Sequence, residues 1–185
     1  MLNIPNLITI LRLALVPLLA WLLLERSYGG AIAVFSAAAL SDALDGYIAR
    51  RYALASRLGA TLDPVADKVA MFTAAVLLAW QRELPLWLGC AIVLRDVVIV
   101  GGVIAYRAII GALEMTPTRL SKVNTTLEFA VLLLTMAVAA GWPARGAWLD
   151  ACFVVVGVTV VLSGVQYVWV WGRKAATKHD RRVKT

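Results

Sequence analysis

Apolar residues occur in six long runs along this chain, and short segments rich in polar residues or glycine separate the runs. Each run approaches the roughly 20 residues that an α-helix needs to cross a bilayer. Pro5 and Asn6 suit the start of the first run, and Gly29 and Gly30 precede the second. The pattern therefore predicts six membrane-spanning helices. They cover approximately residues 7–24, 30–52, 60–80, 85–106, 121–140 and 147–171.

The composition agrees with a protein of the bilayer. Of the 185 residues, 62% are hydrophobic, which is well above the fraction in soluble domains. We expect an all-α polytopic membrane protein, with a six-helix membrane domain over residues 1–172 and a basic cytoplasmic tail over 173–185. The tail could anchor the chain to the membrane surface or could simply enforce its orientation.

The positive charges are concentrated on one side of the predicted bundle. That side carries twelve cations, Arg50, Arg51, Arg57, Arg107, Arg119, Lys122, Arg173, Lys174, Lys178, Arg181, Arg182 and Lys184. Each opposite loop holds a single cation with an acid nearby. The positive-inside rule therefore predicts that both termini are cytoplasmic. The expected location is the bacterial inner (plasma) membrane, or the mitochondrial inner membrane with the termini in the matrix if the source is eukaryotic.

The net charge of +7 bears on the expected partners, and the low number of cysteines bears on disulfides and thiolate metal sites. Anionic lipid headgroups are the simpler partner for a basic membrane protein, and no nucleic acid is expected. Cys90 and Cys152 each lie inside an apolar run, so neither a disulfide framework nor a metal-ligand spacing is present. His179 lies among the cations of the tail and is expected to be solvated.

Four aspartates mark residues 41–68, inside an otherwise apolar sequence. They are Asp42, Asp45, Asp63 and Asp67. The first two are three residues apart and the last two are four apart, so each pair projects from one face of its helix. Four carboxylates close together repel one another unless cations bind. The pattern predicts an all-oxygen site for Mg²⁺ or Mn²⁺, with two ions as the better solution.

Small residues and one cation accompany the carboxylates. Gly46 and Ala49 share the helical face of the first aspartate pair, and Gly59 lies one turn before Asp63. Small side chains let a ligand or another helix approach closely. Arg50 offers a fork of donors for phosphate oxygens. The alternatives are solvated acids at helix ends, or a divalent-cation transporter that uses the same carboxylates.

Residues 42–67 match D-x2-D-G-x2-A-R-x8-G-x3-D-x3-D without departure, and this pattern resembles the signature of the CDP-alcohol phosphotransferases. The resemblance implies six helices, a cytoplasmic active site, a homodimer and release of CMP from a CDP-activated donor. It also implies two divalent ions on the four aspartates, with Asp67 as the base for the acceptor hydroxyl. The residues expected to bind the donor are Gly46, Ala49, Arg50, Ser56 and Gly59.

The opening segment IPNLITILRLALVP resembles the branch of this family that uses CDP-diacylglycerol. By that resemblance Asn6 and Thr9 line the donor site. Arg12 could reach a phosphate, or it could extend its guanidinium to the lipid headgroups. The donor is therefore expected to be CDP-diacylglycerol.

The segment SKVNTTLE, residues 121–128, bears on the identity of the acceptor. At this place the phosphatidylglycerophosphate synthases have a motif similar to G-K-x-K-T-x-x-Q. This chain instead resembles the CMP-forming cardiolipin synthases, which have SKVNT. Lys122 and Asn124 are the expected acceptor contacts, and Glu128 departs from the glutamine of both groups. Asn124 replaces a cation, which suits phosphatidylglycerol better than the more highly charged glycerol 3-phosphate, the alternative acceptor.

Arg95 and Asp96 lie next to each other inside the fourth run. Arg95 could bind an acceptor phosphate, or the two could form a structural ion pair. Adjacent residues of a helix do not face each other, which weighs against the pair.

Overall fold

The computed structural model describes residues 4–52, 59–110, 119–142 and 144–183, with side chains described over 11–41, 68–102, 120–142 and 144–169. These residues form six α-helices and no strand, which confirms the all-helical prediction. In chain order the helices are α1 (Ile4–Leu24), α2 (Tyr28–Tyr52), α3 (Gly59–Trp80), α4 (Leu86–Ile110), α5 (Arg119–Ala139) and α6 (Ala147–Val183).

The last helix differs most from the prediction. It was expected to end near residue 171, but α6 continues to Val183, so the predicted tail begins inside a helix. Hydropathy detects only where the apolar run ends, whereas backbone hydrogen bonding continues through polar residues. Residues 173–183 contain no glycine or proline and are rich in arginine, lysine and alanine, which favour helix.

The first of two compact units comprises Met1–Leu86 and Leu132–Gly146, and therefore contains α1, α2, α3 and the C-terminal part of α5. Within it α1 packs against both α2 and α3, and α2 also touches α3. Leu19 and Leu23 of α1, Phe35 of α2 and Leu78 of α3 are buried in its core. This unit holds the helices on which all four aspartates lie.

Three helices of this unit, α1, α3 and α5, end in the same backbone motif. After α1, Arg26 has φ 56°, and the amide of Ser27 donates to the carbonyl of Leu22 over 2.8 Å. This is the Schellman arrangement, with a left-handed residue just beyond the last turn. Arg82 after α3, at φ 64°, and Gly141 after α5, at φ 91°, occupy the equivalent position.

The second unit comprises Trp87–Val131 and Ala147–Thr185, and therefore contains most of α4, the N-terminal part of α5 and all of α6. Leu88 and Ile92 of α4 and Phe153 of α6 are buried in its core. The indole of Trp87 lies directly over Gly157, where a Cβ atom would be 2.5 Å from the ring. Any larger residue at position 157 would therefore force the ring of Trp87 to shift.

Within the described residues, two helical segments are long and apolar enough to cross a membrane, Leu120–Ala139 and Ala147–Trp169. Shorter apolar helical segments are Leu11–Leu24, Tyr28–Ser41 and Lys68–Trp80. The predicted count of six spans and the orientation of the termini remain predictions.

Candidate functional site

The four aspartates lie on two neighbouring helices of the first unit. Asp42 and Asp45 are in the second half of α2, and Asp63 and Asp67 are in the first turns of α3. The helical periodicity that the prediction required is therefore present at both pairs. Their side chains lie outside the described ones, so the metal site itself remains a prediction.

The residues expected to bind the donor lie on the same three packed helices. Asn6 and Thr9 are on α1, Gly46, Ala49 and Arg50 are on α2, and Gly59 is the first residue of α3. Their side chains, and Ser56 altogether, lie outside the described part of the chain. The contacts of α1 with α2 and α3 nevertheless bring the helices with these positions into one unit.

Arg12 is buried within α1, with 1% of its surface exposed. Its guanidinium therefore does not extend to lipid headgroups, and the alternative of a phosphate contact remains. A buried cation in an apolar helix is energetically expensive and is retained mainly where it has a structural or functional partner.

Arg95 is at the centre of a buried polar cluster in the second unit. Its Nη1 donates to Oδ1 of Asp96 over 2.7 Å, and its Nη2 donates to Oγ of Ser121 at 3.1 Å and of Ser163 at 3.2 Å. The pairing with Asp96 corrects the expectation from helical geometry, because the long arginine side chain folds back to its neighbour. One guanidinium thus joins α4, α5 and α6.

The acceptor segment contributes a second pair to this cluster. Nδ2 of Asn124 donates to Oε1 of Glu128 over 2.7 Å, and both residues are fully buried. Oε2 of Glu128 lies 4.0 Å from Nη1 of Arg95. Lys122, by contrast, has an exposed side chain. Of the three predicted acceptor residues, the structure therefore brings Arg95 and Asn124 together through Glu128.

The cluster combines one guanidinium with two carboxylates, so its positive charge is offset internally. At a low-dielectric position such pairing is what makes a buried charge tolerable. Ser121 and Ser163 were not among the predicted site residues. The sequence signal for Ser163 was a hydroxyl within the apolar run of α6, which also contains Thr159, but the partner of Ser163 depends on tertiary packing.

Comparison with known proteins identifies the family. The model of the CDP-alcohol phosphatidyltransferase family matches residues 2–164. A cardiolipin synthase (CMP-forming) of Rattus norvegicus is 32% identical over 188 residues, covering 93% of this chain and 62% of that protein. One of Streptomyces coelicolor is 42% identical over 101 residues, covering 51% and 47%.

A relative named for glycerol 3-phosphate also matches. The CDP-diacylglycerol–glycerol-3-phosphate 3-phosphatidyltransferase of Pseudomonas fluorescens is 48% identical over 103 residues, covering 52% of each chain. This chain spans less than two thirds of the length of each of these three relatives. The family match nevertheless covers most of the chain, and the chain belongs to the CDP-alcohol phosphatidyltransferase family.

Proposed function

We propose that this chain is a membrane-embedded phosphatidyltransferase, which moves a phosphatidyl group from CDP-diacylglycerol to an alcohol and releases CMP. The observation that carries the proposal is the set of four aspartates on α2 and α3, within a chain that matches the family over residues 2–164. The orientation is that predicted by the positive charges, with both termini and the aspartates toward the cytoplasm.

The reaction is a displacement at phosphorus. The oxygen of the acceptor hydroxyl attacks the β-phosphorus of the donor, and the bond from that phosphorus to the oxygen bridging the two phosphates breaks. CMP leaves with the bridging oxygen. The hydroxyl proton passes to the carboxylate of Asp67, which acts as general base. The products are the new phospholipid and CMP.

The donor set suits a hard divalent cation, since all four expected ligands are carboxylates. Asp42, Asp45, Asp63 and Asp67 would hold two Mg²⁺ or Mn²⁺ ions. When bound, the ions neutralise diphosphate charge and polarise the phosphorus for attack. Arg50 donates to phosphate oxygens, and the small residues Gly46, Ala49 and Gly59 let the diphosphate approach the helix backbone.

As acceptor we propose phosphatidylglycerol, which makes the product cardiolipin. Asp96 and Glu128 carry two carboxylates against the single guanidinium of Arg95, so this cluster gives the acceptor side no net positive charge. A site with so little positive charge suits a lipid with one negative charge better than the dianion of glycerol 3-phosphate. Relatives named cardiolipin synthase that cover 93% of the chain agree with this choice.

Glycerol 3-phosphate is the second candidate acceptor. The observation in its favour is the 48% identity to the glycerol-3-phosphate enzyme of Pseudomonas fluorescens over 103 residues. In that case the exposed Lys122 would supply the charge for the acceptor phosphate.

The test uses purified protein in nanodiscs with CDP-diacylglycerol and Mg²⁺, and each acceptor in turn. We expect CMP and cardiolipin with phosphatidylglycerol, and little CMP with glycerol 3-phosphate. Release of CMP with glycerol 3-phosphate alone would overturn the cardiolipin assignment and leave the transferase assignment standing. Absence of CMP with every alcohol would overturn both.

A further inference from the structure

The C-terminal ends of α1 and α3 lie together at one end of the first unit. The side-chain amide of Gln81, just beyond α3, donates from Nε2 to the carbonyl of Leu23 on α1. Its Oε1 accepts a 3.0 Å hydrogen bond from the hydroxyl of Tyr28, at the start of α2. The segment after α5 reaches the same end, because Nη1 of Arg145 lies 3.6 Å from Oε2 of Glu83. These contacts define one end surface of the unit.

Three exposed tryptophans stand at this end, one for each of α1, α3 and α5. Trp21 is 57% exposed, Trp80 is 69% exposed and Trp142 is 81% exposed. Trp80 is the last residue of α3, and the other two lie within three residues of the ends of α1 and α5. Indole rings at the ends of apolar helices are typical of the boundary between hydrocarbon and lipid headgroups.

The same end carries exposed arginines in a strained backbone conformation. Arg26 and Arg82 are exposed, and both have a positive φ, of 56° and 64°. A residue with a Cβ atom is disfavoured in this left-handed region, whereas glycine adopts it readily. After α5 a glycine, Gly141, does take the position, and the half-exposed Arg145 follows four residues later. The backbone thus gives no reason for arginine at positions 26 and 82, so the reason lies in the side chain.

Lipid phosphates fit this surface better than a second copy of the chain. Arginine pairs with phosphate oxygens through two parallel hydrogen bonds. Two acids, Glu25 and Glu83, accompany the three arginines of this end, so the arginines are in excess. A second copy docked by the same surface would set arginines against arginines. A headgroup layer instead offers phosphates to the arginines and an apolar boundary to the indoles.

We propose that this tryptophan–arginine surface inserts into the headgroup layer of the leaflet opposite the aspartates, with the indoles at the hydrocarbon boundary and the guanidinium groups on lipid phosphates. The surface consists of Trp21, Trp80, Trp142, Arg26, Arg82 and Arg145. The proposal rests on the membrane-embedded transferase proposed above, and it adds the level at which the bilayer holds the first unit.

This level determines the depth of the aspartate positions. At 1.5 Å per residue along α3, Asp67 lies about 20 Å from Trp80 and Asp63 about 26 Å. The hydrocarbon layer of a bilayer is about 30 Å thick. Both positions therefore fall within that layer, near its opposite boundary.

Nitroxide labels measured by electron paramagnetic resonance test the depth. Leu24→Cys and Leu13→Cys carry the label on α1 outside the proposed surface, and the replaced leucines are 51% and 49% exposed. Both variants also carry Cys90→Ala and Cys152→Ala, which remove the native thiols. The protein is placed in vesicles of equal parts phosphatidylcholine and phosphatidylglycerol, and accessibility to oxygen and to a nickel chelate gives the depth.

We expect the label at position 24 within about 8 Å of the lipid phosphates, and the label at position 13 about 16 Å deeper, near the midplane. Full exposure of the label at position 24 to water, or equal depths of the two labels, would overturn the proposal. Magnetic coupling between labels at position 24 of two copies would also overturn it, because a second copy would then cover this surface.

The double variant Arg26→Gly/Arg82→Gly tests the arginines by the sign of its effect on thermal unfolding. In dodecyl maltoside, a detergent without phosphate, we expect it to unfold at a higher temperature than the wild type, because glycine relieves the left-handed strain. In nanodiscs of the two phospholipids we expect it to unfold at a lower temperature than the wild type, because the contacts with phosphate are lost.

The matched control is Arg26→Lys/Arg82→Lys, which keeps the charge and the strain and should show no reversal between the two media. Equal stabilisation of the glycine variant in both media would show that the arginines do not contact lipid. Its destabilisation in both would assign the arginines a role within the protein. Either result overturns the proposal.

Neither measurement depends on turnover, so the outcomes separate this proposal from the one on which it rests. A protein that shows the expected depth and the reversal but releases no CMP with any alcohol contradicts the transferase function alone. A protein that makes phospholipid but shows neither contradicts the tryptophan–arginine surface alone.

Discussion

The guanidinium of Arg95 on α4 donates a hydrogen bond of 3.2 Å to the hydroxyl of Ser163 on α6, 68 residues further along the chain. Both side chains are buried, so no water replaces the bond if it is lost. The contact holds two helices at the level of the acceptor segment, and it fixes one of the nitrogens of Arg95.

Ser163→Ala should lower the free energy of unfolding by about 1–3 kcal/mol, since it leaves a buried donor of a charged group without one of its partners. The measurement is thermal unfolding of the purified protein in detergent. Thr159→Ala is the matched control, because the hydroxyl of Thr159 bonds only to the carbonyl of Val156 on its own helix among the hydrogen bonds observed for it. A cost no greater than that of the control would contradict the bridging role of Ser163.

Glu128→Gln should strengthen binding of an anionic acceptor. Glutamine keeps the oxygen that accepts from Asn124 but removes a negative charge 4.0 Å from Arg95. The KM for phosphatidylglycerol should fall severalfold, and that for glycerol 3-phosphate should fall further because it has the higher charge.

The control for this charge change is Glu83→Gln, since Glu83 forms a 3.6 Å ion pair with the half-exposed Arg145 in the other unit. Exposed pairs contribute little, so neither KM should change with this variant. An unchanged or raised KM in Glu128→Gln would show that Arg95 does not act on the acceptor.

Gly157→Ala should destabilise the contact between α4 and α6, because the new Cβ would lie 2.5 Å from the indole of Trp87. We expect a cost of about 1–3 kcal/mol in unfolding experiments. The cost should largely disappear in a Trp87→Ala background, since the clash then has no partner.

Gly101→Ala serves as the matched control for Gly157→Ala. Its Cβ would have no atom within 4 Å, and it lies inside α4, so alanine should stabilise the helix by up to about 1 kcal/mol. Equal effects of the two substitutions would contradict the close packing of Trp87 on Gly157.

Much of the fold could be predicted from the sequence, because apolar runs of about 20 residues reflect the thickness of a bilayer. The start of α6 at Ala147 was predicted, but its end at Val183 was not, since hydropathy does not report how far a polar sequence stays helical. The left-handed residues Arg26 and Arg82 were also unforeseen, because glycine is the residue that usually marks this position.

For the candidate site too, local features could be predicted from the sequence, whereas tertiary contacts could not. The aspartates could be placed on α2 and α3 because their spacing is a local property of a helix. The partners of Arg95 could not be predicted, because Ser121 and Ser163 reach it only through the packing of three helices. Arg12 left two alternatives open, and its burial removed the one that required contact with the headgroups.

Removal of divalent metal should abolish CMP release. Chelation should reduce the rate to background, and Mg²⁺ or Mn²⁺ should restore it, because four carboxylates cannot bind a diphosphate without cations. Full activity after exhaustive chelation would contradict the role of the aspartates.

Asp67→Asn should lower kcat by about 10²–10⁴-fold, since the amide cannot accept the acceptor proton. The variant should still fold, which is checked by thermal unfolding, and should keep much of the binding of Mn²⁺. Retention of wild-type kcat would exclude Asp67 as the base.

The most direct test of phosphatidyl transfer follows the phosphorus itself. CDP-diacylglycerol carrying ³²P only at the β-phosphate, adjacent to diacylglycerol, is incubated with the wild-type protein and phosphatidylglycerol. We expect that all transferred label appears in the lipid product and that the released CMP is unlabelled. Label in a water-soluble nucleotide product, or lipid product without label, would contradict attack at the β-phosphorus and with it the proposed function.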